Sequence, residues 1–264
     1  MDPYAHIEVT PLFSKDGMKS QGKSVRIEDA ESKTGWNEIG VVSPNYLLVH
    51  NSQVKDVVDA IADRSPVNDW KQRKLFFDGR RFVYSITTDR ISAEITKGDI
   101  VRFGLIAYNS YDGTRSLSVG MYAEHLICSN GMTSDMYFAK FSFRHNQGNL
   151  SWNDETQKAF DLLLPNSQTR LTRFAKALNT LKQKDLTMPD LQEIREKHLS
   201  ALSVSQWGKI VDRYLSHEEH NAFGMLDACT QTFWHNEKQT HSDYRNNSLS
   251  TDGMITYAQQ LSKN

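Results

Sequence analysis

Hydrophobic and polar residues alternate over much of residues 36–150, which predicts β-strands rather than helices. Two runs rich in β-branched and aromatic residues flank Asp78-Gly79, in KLFFDGRRFVYSITTD, and two more flank Asp112-Gly113. Asp-Gly between such runs is a strong hairpin signal, because both turn positions favour a positive φ angle. We therefore expect an antiparallel sheet built of hairpins in this half of the chain.

One helix is predicted to cross this sheet. Val54, Val58 and Ile61 recur at helical spacing in SQVKDVVDAIADR, and Ser52 is the expected N-cap.

After Trp152 the hydrophobic period becomes helical. The segment SQTRLTRFAKALNTLKQK places four apolar residues on one helix face: Leu171, Phe174, Leu178 and Leu181. Capping-box spacings predict helices over 204–215 and 217–236, and a last short helix is expected around 252–261. The fold class expected is thus α+β, with a helical C-terminal half.

Three regions follow from these patterns. Residues 1–35 are polar and rich in glycine and lysine, and we expect an irregular lead-in. Residues 36–150 form the antiparallel β-rich α+β region, and residues 151–264 form a helical region packed on it.

Composition adds little to the functional question. The chain carries 31 basic and 32 acidic residues, so its overall charge does not favour a polyanionic partner. No apolar run is long enough to span a bilayer, and the N-terminal residues lack the pattern of a signal peptide. We expect a cytoplasmic protein that does not bind membranes.

Neither the two cysteines nor any recognised catalytic motif indicates an enzyme. The sequence has no nucleophile elbow, phosphate-binding loop, dinucleotide fingerprint or zinc-protease motif. Cys128 ends a predicted strand, where His125 would point to the opposite face, so a buried thiol is favoured over an activated one. Cys229 lies on a predicted helix and is expected in the core.

The segment HEEH is the nearest approach to a metal site. His217 and His220 stand three residues apart at a predicted helix start, but two ligands do not complete a site. We therefore expect neither a metal nor a cofactor.

Local clusters of basic residues carry the strongest functional signal. The segment KQRKLFFDGRRFVY combines cations with aromatic residues, a composition typical of proteins that bind single-stranded nucleic acid without sequence preference. Two further basic segments follow on the last strand and on the helix that begins near Ser167. The predicted nucleic-acid-binding residues are Lys71, Arg73, Lys74, Phe77, Arg80, Arg81, Tyr84, Lys140, Arg144, Arg170 and Arg173. Charge runs are also common on ordinary solvated surfaces, which leaves that alternative open.

Three segments carry a family resemblance. The first is IGVVSPNYLLVHN, the second joins YNSYDGTRSLSV to LICSNGM, and the third is DACTQTFWH, in which Asp227 replaces a usual asparagine. In this order they resemble the phage/plasmid-like family of domains of unknown function, found on prophages, plasmids and bacteriophages. The resemblance runs from about residue 36 to 240.

The resemblance implies a mobile-element origin and assigns no catalytic residue. The predicted layout of hairpins crossed by a helix is similar to that of single-strand annealing proteins. Our leading hypothesis is a non-enzymatic homo-oligomer that binds single-stranded DNA as a recombination or replication accessory. The alternative is a protein-interaction or host-modulating factor, and a third possibility is an enzyme that uses Cys128 or the two histidines of HEEH.

Overall fold

The computed structural model describes residues 2–126, 130–143, 145, 152–217, 219–235 and 241–263. It contains antiparallel sheets in the first half and mostly helices in the second, which confirms the α+β fold class.

A three-stranded antiparallel sheet comes first, with strands β1 (Ile7–Phe13), β2 (Lys19–Glu28) and β3 (Trp36–Val42) in that order. The expectation of an irregular lead-in over 1–35 is therefore wrong for most of that region. Alternation at the end of β2 buries Val25 and Ile27, while Arg26 between them is only half-buried and polar residues dominate the rest of the strand. Hydrophobic pairs across the strands set the register, since Val25 lies opposite Val9.

A six-stranded sheet follows the first helix. The elements are α1 (Asn51–Asp63), β4 (Lys71–Phe77), β5 (Arg81–Thr96), β6 (Asp99–Ser110), β7 (Leu117–His125), β8 (Gly131–Met132) and β9 (Lys140–Phe143). The strand order is β4-β5-β6-β7-β8, and β9 pairs with β7. Helix α1 buries Val54, Val58 and Ile61 as predicted. The helix begins at Asn51, and its N-cap is His50 rather than the expected Ser52. The N–H of His50 donates to Gln53 Oε1 at 2.9 Å.

Both predicted hairpins are present, but their turns differ from the expectation. Gly79 and Gly113 take φ angles of +91° and +71°, whereas neither aspartate before them has a positive φ. Each aspartate instead accepts hydrogen bonds from backbone N–H groups two or three residues on: Asp78 Oδ1 from Arg81 at 2.7 Å and Asp112 Oδ1 from Thr114 at 3.0 Å. The carboxylate closes the turn, so only the glycine needs the left-handed region.

The second half consists of helices α2 (Trp152–Leu163), α3 (Ser167–Lys182), α4 (Met188–Glu193), α5 (Val204–Ser216), α6 (Ala222–Trp234) and α7 (His241–Leu261), with a π-helical turn at Ile194–His198. The four apolar residues predicted on one face of α3 are all buried. The capping box that starts α5 is confirmed: the N–H of Gln206 donates to Ser203 Oγ at 3.2 Å and the N–H of Ser203 to Gln206 Oε1 at 2.9 Å. No described helix is both long enough and apolar enough to span a bilayer.

Two predicted helix boundaries are wrong. The helix expected over 217–236 begins at Ala222, because Asn221 caps it through a bond from the N–H of Gly224 at 2.9 Å and His217 is extended. The helix expected around 252–261 begins at His241. Its first half buries polar residues such as Asn247 and Ser250, so the apolar pattern that marks most helices is missing there.

The chain divides into two compact units that are discontinuous in sequence. The first unit comprises Met1–Thr87, Leu105–Gly120 and Lys140–Pro165, and the second comprises Thr88–Gly104, Met121–Ala139 and Asn166–Asn264. The predicted boundary between residues 150 and 151 lies outside the described residues.

Glycine at position 253 allows α7 to approach the π-helical turn, because a Cβ there would lie 2.3 Å from the carbonyl oxygen of His198. We predict that Gly253→Ala lowers the free energy of unfolding by about 2 kcal/mol through overpacking. Gly208→Ala is the matched control, since a Cβ at that helical position meets nothing within 4 Å. It should raise stability by about 0.5–1 kcal/mol through helix propensity. Urea titrations would compare the two, and equal effects would contradict the packing assigned here.

Candidate functional site

The predicted nucleic-acid-binding hairpin forms as expected, and we call residues 71–84 the basic hairpin. Its first strand, β4, stands at the end of the strand order. Lys71 and Arg73 on that strand are exposed, and so is Arg80 in the turn. Arg73 lies at a register shift, and its Nε donates to Thr87 Oγ1 at 2.9 Å. Strand β4 itself contains no acidic residue, whereas the turn that carries Arg80 also contains the exposed Asp78.

Of the two predicted stacking residues in the basic hairpin, Tyr84 is buried and Phe77 is half-buried. Tyr84 is only 4% exposed, its hydroxyl donates to Asp59 Oδ1 at 3.0 Å, and Lys55 lies over its ring. Burial, followed by the charge of Asp59, raises the pKa of Tyr84. Phe77 is half-buried and meets the ring of Tyr111 edge-on at 5.8 Å. The expectation of exposed stacking rings is therefore wrong for Tyr84 and holds only in part for Phe77.

The remaining cations of the basic hairpin are half-buried. Loss of hydration lowers the pKa of Lys74 to about 8. Arg81 is also half-buried, and its Nε has no hydrogen-bond partner among the described residues. Lys74 and Arg81 are thus less exposed to solvent than Lys71, Arg73 and Arg80.

The other predicted cations are distributed over both units. Lys140 is exposed at the start of β9 in the first unit, and Arg144 lies outside the described residues. In the second unit Arg173 is exposed, whereas Arg170 is half-buried with its Nη1 3.5 Å from the carbonyl oxygen of Tyr137.

Lys182 and Lys184, the last two cations of the predicted basic segment 170–184, form ion pairs. Lys182 Nζ lies 2.7 Å from Asp99 Oδ2, and Lys184 Nζ lies 2.9 Å from Asp190 Oδ2. The segment 170–184 is therefore not the uniform basic surface that its sequence suggests.

Asp99 was not singled out by the sequence, although its carboxylate contacts both His125 and Lys182. His125 Nε2 lies 2.5 Å from Asp99 Oδ1, opposite the Lys182 contact. Burial, the largest effect, raises the pKa of Asp99, but the hydrogen bonds of Lys182 and His125 together outweigh it and lower the pKa. No local pattern marks this aspartate, because its partners are 26 or more positions away in the sequence.

The described members of the candidate catalytic and metal-binding set, Cys229, His217 and His220, each have a different environment. Cys128 and Glu218 lie outside the described residues, and Cys229 is buried, which raises the pKa of its thiol to about 12. His217 Nε2 lies 3.0 Å from Asp227 Oδ2, whereas the ring of His220 meets Tyr214 edge-on at 5.6 Å. In the described part of the chain, no three side chains are arranged to hold a metal ion.

Asn130 of the middle motif is held by hydrogen bonds to residues of the third motif. Asn130 Nδ2 donates to Asp227 Oδ1 and His235 Nε2 lies against Asn130 Oδ1, both at 2.6 Å. Gln231 Nε2 donates to the second oxygen of Asp227 at 3.0 Å. We call Asn130, Asp227, Gln231 and His235 the Asn130 cluster. Asn130 and Asp227 are the buried members, and these bonds satisfy their polar groups, which is the usual condition for burying them.

Glycine is required beside this cluster. A Cβ at Gly131 would lie 2.3 Å from the indole ring of Trp234. Asn247 Nδ2 donates to the Gly131 carbonyl oxygen at 3.0 Å, and the N–H of Thr133 donates to Asn247 Oδ1 at 3.1 Å. The middle and third motifs, which are far apart in sequence, are therefore in direct contact. Asp227 is the acceptor for the Asn130 side chain in this contact.

The first motif and the Asp112-Gly113 turn meet in the first unit. A Cβ at Gly40 would lie 3.0 Å from Asp112 Cβ, and the Tyr46 hydroxyl donates to the Ser110 carbonyl oxygen at 3.0 Å. A cavity of about 370 Å³ lies between these segments, and His145 lines it as well.

Removal of the Asp227 carboxylate tests the Asn130 cluster. We predict that Asp227→Ala lowers the free energy of unfolding by about 2 kcal/mol, because the buried amide of Asn130 loses its acceptor. The control Asp212→Ala removes an exposed carboxylate of the second unit and should change stability by less than about 0.5 kcal/mol. Similar losses in the two variants, measured by chemical denaturation, would contradict the role given to Asp227.

The lowered pKa of Lys74 predicts a pH-dependent stability. Between the folded value of about 8 and the ordinary value of 10.5, the unfolded chain holds the additional proton, so stability rises with pH in this window. Lys74→Met removes the titration. The difference in unfolding free energy between variant and wild type should shrink by about 1–2 kcal/mol from pH 7 to pH 10. A constant difference across that range would show that Lys74 is well hydrated.

Comparison with known proteins gives a family but no activity. Neither the curated proteins nor the solved structures include a match to the chain. The model of the family described as a domain of unknown function, DUF932, matches residues 38–252. This match includes all three motif segments and covers most of the chain, so the protein belongs to the DUF932 family.

Proposed function

We propose that this protein binds single-stranded DNA through the exposed cations of the basic hairpin. One observation supports the proposal most directly: Lys71, Arg73 and Arg80 are exposed on one hairpin, and β4 itself has no acid. Cations on such an edge can follow a phosphate backbone, and they release condensed counterions when they bind it.

The biological setting of this proposal comes from the motif resemblance. The phage/plasmid-like pattern supports an origin on a mobile element and action in the host cytoplasm. In that setting a homo-oligomer that anneals single strands would serve recombination or replication, without enzymatic activity of its own.

Burial of the aromatic residues changes the expected binding mode. Tyr84 supports the hairpin from within, and Phe77 packs partly against Tyr111. Base stacking on the hairpin therefore contributes less than the sequence suggests, and phosphate contacts contribute more. The affinity should accordingly depend strongly on salt.

A protein-interaction factor is the second candidate, and one surface of the second unit favours it. Met188 is 77% exposed, and it lines a groove of about 460 Å³ with Leu191, Trp207 and Val211. An apolar groove of this kind is typical of peptide-binding surfaces. This alternative predicts that charge changes in the basic hairpin have no effect on partner binding.

Charge reversal on β4 tests the DNA proposal. Lys71→Glu combined with Arg73→Glu should weaken binding of a fluorescein-labelled single-stranded oligonucleotide at least tenfold at low salt, because two phosphate contacts become repulsive. The slope of log K against log salt should become shallower by roughly 1.4, the contribution of two phosphates on a single strand. Fluorescence anisotropy over a salt series measures both quantities.

A matched control separates local contacts from net charge. Lys15→Glu with Lys33→Glu makes the same change in total charge at exposed positions outside the basic hairpin. This variant should retain nearly wild-type affinity. Absence of wild-type binding at low salt, or equal losses in the two double variants, would contradict the proposal.

A further inference from the structure

The second unit contains a cleft of about 540 Å³ that is lined by three helices. One side comes from α5, and the others come from the C-terminal end of α6 and the first turn of α7. A volume of this size is typical of sites that bind small molecules. His235 at the end of α6 also lines the cleft, and its Nε2 lies 2.6 Å from Asn130 Oδ1, so the Asn130 cluster holds this wall in place.

Helix α5 presents three groups of hydrogen-bond donors to the cleft. Gln206, Lys209 and Arg213 are spaced three and four residues apart, which places them on one face of the helix in successive turns. Lys209 and Arg213 are exposed, and neither forms an ion pair with a described residue. Gln206 Oε1 accepts from the N–H of Ser203 in the capping box, and Gln206 Nε2 has no partner among the described residues. The α5 side of the cleft therefore offers donors that no acceptor of the described chain uses.

A phosphomonoester matches these donors in charge and in hydrogen bonding. It carries a charge of about −1.5 to −2 at neutral pH and presents acceptor oxygens only, whereas Lys209 and Arg213 are cations that only donate. The guanidinium group can contact two phosphate oxygens at once. A phosphodiester within a strand carries about one negative charge, so it would leave one of the two cations without compensation.

The rest of the cleft presents acceptors. The hydroxyl groups of Ser216 and Thr232 each donate to a carbonyl oxygen of their own helix at 2.7 Å, so toward a ligand they act as acceptors. The carboxylates of Asp212 and Asp243 line the cleft as well. Carboxylates repel an anion but accept hydrogen bonds from hydroxyl and amino groups. A ligand that fits the whole cleft thus carries a phosphate at one end and hydroxyl or amino groups at the other.

We propose that this cleft binds a nucleoside monophosphate, with its phosphate on Gln206, Lys209 and Arg213. The hydroxyl and amino groups of the sugar and base would donate to the carboxylates of Asp212 and Asp243. The same phosphomonoester occurs in free nucleotides and at the phosphorylated 5′ end of a DNA strand. The second source rests on the function proposed above, whereas the first is independent of it.

Ligand pairs that differ only in the phosphate test the site. Isothermal titration calorimetry would compare AMP with adenosine, and fluorescence anisotropy would compare a short single-stranded oligonucleotide with and without a 5′-phosphate. The wild-type protein should bind AMP at least about tenfold more tightly than adenosine, because hydrogen bonds to a charged group are strong. If the site takes the end of a strand, the 5′-phosphate should strengthen oligonucleotide binding by a similar factor.

Removal of both cations identifies the residues that hold the phosphate. Lys209→Gln with Arg213→Gln, which we call the cleft variant, replaces two exposed side chains and should abolish the preference for the phosphorylated member of each pair. Lys197→Gln with Lys263→Gln is the matched control. It makes the same change in total charge at exposed positions of the second unit outside the cleft, and it should retain the preference.

The outcomes separate this site from the DNA proposal. A preference for AMP that persists in Lys71→Glu with Arg73→Glu supports the cleft, whether or not the wild type binds DNA. A preference only for the phosphorylated oligonucleotide, lost in the cleft variant, supports the strand end as the ligand. No preference in either pair, or a preference that survives in the cleft variant, would overturn the site and leave DNA binding by the basic hairpin unaffected.

Discussion

A charged group that leaves water loses more free energy than it recovers unless an opposite charge or several hydrogen bonds meet it. This constraint determines which cations of the chain can contact a ligand. Arg102, only 9% exposed, places Nε 2.5 Å from Glu124 and Nη1 2.6 Å from Asp89. Lys182 meets Asp99 in the same way. Such cations stabilise the second unit and are not available for phosphate groups. By contrast, Lys71, Arg73 and Arg80 of the basic hairpin are exposed to solvent.

The same requirement explains the family motifs. Asn130 and Asn247 are fully buried, and their amide groups find partners in Asp227, Gly131 and Thr133. These bonds hold the chain at Gly131, which lies against the indole ring of Trp234. The motif residues in the second unit therefore maintain the fold.

Local patterns were sufficient to predict elements whose burial follows a regular period. Helix α3 belongs to this class, since its apolar residues recur at helical spacing. The two Asp-Gly hairpins were predicted from their turn residues and β-rich composition instead, because β6 and β7 are buried at nearly every position. Strand β2 was missed because its exposed positions carry Lys, Ser, Gln and Glu. Half of α7 was missed because it buries Asn and Ser instead of apolar residues. The Asp99 ion pairs and the burial of Tyr84 depend on contacts between distant segments, which no local period encodes.

The central claim is that the cations fall into a buried set and an exposed set, and that the exposed set on the basic hairpin is the one that we propose binds single-stranded DNA. Acetylation of lysines with and without a saturating oligonucleotide, followed by mass spectrometry, tests it directly. The account predicts slow modification of Lys182 under both conditions, and rapid modification of Lys71 that DNA suppresses while Lys15 stays reactive. Lys182 reacting as fast as Lys71, or Lys71 remaining equally reactive with DNA bound, would contradict it.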